Sequence, residues 1–230
     1  MKIIFAHVKR TANTGDKRSS PILYYRDFFR LFDAVEIDLF DLKNIAINPN
    51  DFVIIGGGGI INSGVKWNNL IEHAINQTGN VIFWGCGFNK KQTDFPEMDI
   101  SRALLVGIRD YYNPFFRFVP CVSCKSRYFD LQYQVKREIG IVKHHSRPLA
   151  LHKSFSGIEA ISNDANIAEI IRFIGESECI ISNSYHALYW ASLLGKKTGR
   201  LDANNNTRFN LCQYQYQTIK TIDDVQQCRQ

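Results

Sequence analysis

The sequence predicts an α/β chain built on parallel sheets. Short apolar runs recur at 2–8, 51–61, 81–87, 103–108, 138–143 and 178–182. Several end in glycine or polar residues, and segments of helical spacing lie between some of them. This rhythm of strand, polar carboxyl end, helix and strand is that of parallel-sheet proteins. In such sheets ligands bind beyond the carboxyl ends of the strands, so those loops in the first half are expected to face a common cleft.

KIIFAHV at 2–8 reads as a buried strand, followed by a polar loop holding Asn13, Gly15 and Asp16. YYRDFFRLF at 24–32 reads as a helix with Tyr24, Phe28, Leu31 and Phe32 near one face. AVEIDL at 34–39 is a second strand, and DFVIIGGGGII at 51–61 a third that ends in four consecutive glycines. WNNLIEHAIN at 67–76 is a helix stopped by Gly79. VIFWGCG and ALLVGIRDYY repeat the strand with a polar or glycine end. Pro114 and Pro120 limit helix in the bridge at 116–130. The halves are therefore set at 1–130 and 131–230. In the second, EIGIVKHHS and ECIISNS are strands, while NIAEIIRFIG and YHALYWASLLG are helices with glycine stops. KKTGRL is a further strand weakened by Gly199, and the tail from 202 reads as a loop, a closing strand and a helix.

Composition excludes whole classes. Of 230 residues 45% are hydrophobic and 22% charged, with 15 Gly and 6 Pro, which is a globular balance. No apolar run approaches the ~20 residues of a membrane helix, and MKIIFAHVKR turns polar too early for a signal peptide. Six scattered Cys then read as reduced thiols of a cytoplasmic protein. Cys121 and Cys124 form a lone CxxC, which lacks the second pair a zinc site needs, so no metal is expected. The net charge of +6 suits an anionic ligand, but no basic run resembles a nucleic-acid tail.

The strand ends carry the candidate chemistry. Backbone at Gly57, Gly58 and Gly59 can approach an anion closely, although neither a P-loop nor GxGxxG is present. Asp16 can cap a helix or serve as a base toward a hydroxyl. Arg109 offers a fork for a carboxylate or phosphate, or an internal pair with Asp110. His186 follows Asn183 and Ser184 at the first turn of a helix, where free N–H groups favour anions and a His can exchange protons. His144 and His145 end a strand, and alternation lets at most one face the cleft. Tyr111, Tyr112, Phe115 and Phe116 can stack on a sugar or pack in the core.

NTGD at 13–16, IIGGGGII at 54–61, VGIRD at 106–110 and SNSYHALYWASLLGKK at 182–197 together resemble the polysaccharide pyruvyl transferase family. VPCVSC at 119–124 with Phe129 and Asp130 looks like its bacterial surface-polysaccharide branch. The resemblance implies two small Rossmann-like halves with a cleft between them, GT-B-like and short. It implies transfer of an enolpyruvyl group from phosphoenolpyruvate to a sugar, forming a ketal, with no cofactor. His186, Asp16 and Arg109 would be catalytic. Asn13, Gly15, Gly57, Gly58, Gly59, Asn183, Ser184, His144 and Arg10 would meet the substrate. Where the family pattern often has Arg, Leu, His, this chain has Ser184, Tyr185, His186, so Arg10 or Lys143 would have to answer the donor's charge. A nucleotide-sugar glycosyltransferase and a non-catalytic saccharide-binding protein are the alternatives. A lipid-linked acceptor would add a peripheral membrane contact, and a homo-oligomer is compatible with all three readings.

Overall fold

The computed structural model describes residues 1–61, 64–88, 99–146, 155–201, 217–219 and 224. The chain divides into two compact units. The first holds Met1–Thr11 and Asp16–Ser123, and the second holds Ala12–Gly15 with the described residues from Cys124 onward.

The first unit carries β1 (Ile3–His7), α2 (Arg26–Phe29), β2 (Ala34–Asp38), β3 (Phe52–Gly56), β4 (Gly59–Ile61), α3 (Val65–Gln77), β5 (Val81–Phe88), β6 (Leu105–Ile108) and β7 (Arg117–Phe118); α1 (Thr14–Lys17) is the turn at which the chain changes unit. Its sheet runs β2-β1-β3-β5-β6-β7, with β4 added beside β5, and every pairing is parallel. Ile4, Ala6, Val53, Ile55, Val81 and Phe83 point to one face, where Leu70, Ile71, Ala74 and Ile75 of α3 cover them. Ile3, Phe5 and Ile54 join a separate cluster on the opposite face, so these strands read as near-continuous apolar runs.

The second unit carries β8 (Arg137–Lys143), β9 (Ala160–Ser162), α4 (Ile167–Gly175), β10 (Ser177–Ser182), α5 (Tyr185–Leu193), β11 (Lys197–Leu201) and β12 (Gln217–Ile219). Its sheet is also all parallel, in the order β12-β11-β10-β8-β9. α4 opens on a complete capping box, with Asn166 accepting from Ala168 and Glu169 accepting from the Asn166 N–H. In α5 every residue from Tyr185 to Ala191 is buried. Gly199 sits inside β11 because Ile219 of β12 comes within 2.7 Å of where a Cβ would lie. The tail loop at 202–210, a helix after the closing strand, and Cys212 and Cys228 fall outside the described residues. Among the described residues Cys86, Cys121, Cys124 and Cys179 are free thiols.

Two helix readings change. Only Arg26–Phe29 of the 24–32 segment is α-helical, since Pro21–Leu23 forms a separate 3-10 turn and Tyr25 leaves helical geometry. Phe29 is the inward residue, packed edge-on against Phe5 at 4.6 Å, while Phe28 and Leu31 are exposed. α3 runs to Gln77 and is stopped by Thr78, one residue before Gly79. Thr78 turns to extended backbone, and its hydroxyl donates to the carbonyls of Pro49 (3.0 Å) and Asp51 (2.9 Å).

The loop after β1 is tied down by one carboxylate. Asp38 accepts from the N–H groups of Lys9 (2.9 Å), Arg10 (2.6 Å) and Phe40 (2.9 Å). Burial pushes its pKa up, but these donors and the Arg10 charge outweigh burial and hold it below the usual range. Its contribution is therefore complete above the unfolded value near 4 and is lost as pH falls through the lower folded value. Asp38→Ala is expected to cost about 2–3 kcal/mol in urea denaturation at pH 7, and this deficit shrinks below about pH 4.

Candidate functional site

In the second unit the carboxyl tips of three adjacent strands are joined by two asparagines. β8 lies between β9 and β10. Asn183, just after β10, accepts the His144 N–H at 2.9 Å. Asn163, just after β9, accepts the His145 N–H at 2.9 Å and lies 3.0 Å from the ring Nδ1 of the same residue. The two clamp successive residues of the β8 tip from either side. Asn163 also donates to the Ser184 hydroxyl at 3.4 Å. Ser182 donates to the Val142 carbonyl at 2.6 Å and accepts the Ser184 N–H at 2.9 Å.

Asn13–Gly15 lies across this cluster. The Thr14 N–H donates to the Asn163 carbonyl at 2.9 Å, and its hydroxyl donates to the Ala165 carbonyl at 2.7 Å. Asn13 Oδ1 accepts the Gly15 N–H at 3.0 Å. The bare face of Gly15 lies directly on the His186 ring, so a Cβ there would overlap its Cγ and Nδ1. On its other sides His186 meets Tyr185, with ring centroids 5.4 Å apart and edge-on, and Trp190 at 5.6 Å. The ring is thus enclosed, with His186 3% exposed.

The structure brings Asn13, Gly15, His144, Asn183, Ser184 and His186 into one unit around these contacts. Alternation fails at the histidine pair, because β8 ends at Lys143 and the next two residues are no longer strand. The His144 and His145 rings stack at 4.8 Å, with planes 20° apart. Asn163 and Thr14 were not singled out by sequence. A signal existed: Ile-Ser-Asn occurs at both 161–163 and 181–183, at the ends of two strands that flank the same neighbour.

The first unit holds the other candidates. Gly57 is bare for a packing reason, because Ser19 Cβ lies 2.5 Å from where its Cβ would be. Gly56 is likewise closed by the Ser19 carbonyl at 2.7 Å. Gly58 takes φ +85, which favours glycine, and its bare side faces Asp16 Oδ1 at 3.5 Å. Gly59 begins β4 beside Gly87. Arg10 is engaged with Asp41 at 2.6 Å and Asp38 at 3.5 Å. Arg109 is buried, and its guanidinium lies on the bare face of Gly87. Sequence reading also passed over His7, buried at the tip of β1, whose ring donates to the Lys17 carbonyl at the end of α1. Burial lowers its pKa against the opposing pull of Glu36, whose carboxylate is 3.8 Å away. Burial raises the Cys86 thiol well above its ordinary value, which makes it a poor nucleophile.

Asp110 accepts the Phe88 N–H at 2.8 Å. Burial pushes its pKa up to about 6, although Arg109 pulls it down. The native chain then holds an extra proton between about pH 4 and that value, so stability falls as pH rises through the window. Asp110→Asn keeps an acceptor for Phe88 and removes this slope. Its stability relative to the parent is expected to rise by about 2–3 kcal/mol from pH 4 to 6 in urea titrations. Gly15→Ala forces the chain or the His186 ring to shift and is expected to cost about 1–3 kcal/mol. Gly79→Ala, with nothing within 4 Å and no positive φ, serves as the neutral control.

No known protein family's sequence profile matches the chain, and no curated protein matches it. Among solved structures the fold is similar to that of a functionally uncharacterized protein from Klebsiella pneumoniae subsp. pneumoniae NTUH-K2044. The TM-score is 0.58 at 16% identity, over 96% of this chain and 93% of the other. At that identity the likeness concerns the fold, a mixed α/β architecture with parallel sheets consistent with a Rossmann-like class.

Proposed function

We propose that the chain is a transferase that moves the enolpyruvyl group of phosphoenolpyruvate to a sugar of a cell-surface polysaccharide. The observation that supports this reading is the seating of Asn13–Gly15 on His186 at the head of α5. Two motif fragments far apart in sequence meet there.

The chemistry has two additions. A proton goes to the methylene carbon of phosphoenolpyruvate while a sugar hydroxyl adds to the adjacent carbon and loses its own proton. A second hydroxyl then displaces phosphate, which leaves with the bonding pair and takes up that hydroxyl's proton, and the pyruvate ketal remains. His186 is the proton donor in this reading, in an enclosure that screens its ring from bulk water.

A nucleotide-sugar glycosyltransferase is the second reading. It is favoured by Ser184, which is buried and bonded to Asn163 where the pyruvyl transferase pattern often has arginine. Incubation with phosphoenolpyruvate and a panel of free and lipid-linked glycans is expected to release phosphate and add pyruvyl mass to one acceptor. His186→Ala is expected to lose at least about 100-fold in rate while keeping the parent's fold. No phosphate release across the panel, together with thermal stabilisation by a nucleotide sugar alone, contradicts the proposal and favours the second reading.

A further inference from the structure

In a parallel sheet both faces are normally covered, and the first unit's sheet is covered unevenly. The step from β1 to β2 runs toward one edge, and every later step runs toward the other. Right-handed crossovers therefore put a single connection on one face and the rest on the opposite face. The packing agrees. Leu39 and Leu42 after β2, Ile71 of α3 and Ile100 before β6 all join the core on the α3 side.

Among the described residues the other face receives the β1–β2 connection and, over β6, Val119, which lies on the bare face of Gly107. Among the described residues that connection supplies a 3-10 turn and the four residues of α2, which add Ile22, Tyr25 and Phe29 over Ile3, Phe5 and Ile54. The register Phe5–Ile54–Ile82–Leu105 crosses the sheet on this side. Ile82 and its face-mate Trp84 are half-buried, and Leu105 is 48% exposed. At the α2 end Phe28 is 59% and Leu31 76% exposed. These are held firmly, since Phe28 contacts Phe29 at 5.0 Å and Phe29 is anchored on Phe5.

We propose that this face is the contact surface for a second copy of the same chain. The charges around the α2 patch select that occupant. Arg26, Asp27, Arg30 and Asp33 are all exposed and alternate in sign, two of each. A rim of balanced sign can complement itself across a two-fold axis, where the same patch meets its own copy. An anionic bilayer would call for a uniformly basic rim instead.

Sedimentation velocity of the full chain, from about 1 to 100 µM, tests the proposal. The expected result is a shift from 26.5 kDa toward twice that mass. Phe28→Ser with Leu31→Ser, and separately Leu105→Ser, are expected to raise the dissociation constant at least about tenfold. All three positions are exposed, and circular dichroism checks that the fold is retained. Asp27→Lys with Asp33→Lys, which makes the rim basic, is expected to weaken the dimer as well. A mass of 26.5 kDa at every concentration overturns the proposal, as does dimerisation unchanged in the variants. So does a monomer that binds phosphatidylglycerol vesicles and binds them more tightly once the rim is basic.

Discussion

The constraint on which the candidate site depends is the close approach of backbone at Gly15 to the His186 ring. Any side chain at position 15 would occupy the ring's own volume. The approach is fixed from both ends. Thr14 bonds twice to the turn after β9, and Asn13 folds its side chain onto the Gly15 N–H. His186 is in turn placed by a helix with no exposed side over its first seven residues. A fully enclosed helix cannot rotate or slide without opening the core, so the ring has a defined position against which the glycine can close.

The polar strand tips of the second unit are kept in place by the same economy. Asn163 and Asn183 each answer an N–H just past the end of β8, where the ladder has stopped. Backbone donors at a strand tip need partners once the sheet ends, and a side-chain amide supplies them without closing the surface. The result is a rigid, polar edge holding a stacked histidine pair. In the first unit the equivalent rigidity comes from Asp38, which gathers three N–H groups, and from glycines that let Ser19 lie against the sheet.

Much of the architecture was legible because it rests on hydrophobic periodicity. The long strands, α3, α4 and α5 all fall where apolar spacing places them. In the 24–32 segment the spacing favours a face with Phe28 and Leu31, which are exposed, whereas Phe29 is the residue packed inward. Phe5 selects Phe29, a tertiary contact that no local pattern contains. β9 is three residues long, too short for periodicity to register, and Asn163 was missed with it. The packing reason for Gly57, the approach of Ser19, lies far from it in sequence and has no local signal. Asn13, Gly15, His144, Asn183, Ser184 and His186, by contrast, all follow strand ends, positions that a rule of topology singles out without reference to any side-chain contact.

The central claim is that the enclosure of His186 beneath Asn13–Gly15 serves an anionic donor rather than packing alone. Histidine ring NMR during titration with phosphoenolpyruvate tests this most directly, with His186→Gln to assign the signal. The account predicts that the His186 resonances shift in a saturable way, together with the amide of Gly15, and that inorganic phosphate shifts them less. Unchanged His186 and Gly15 signals at saturating phosphoenolpyruvate would contradict it and leave the contact as a structural one.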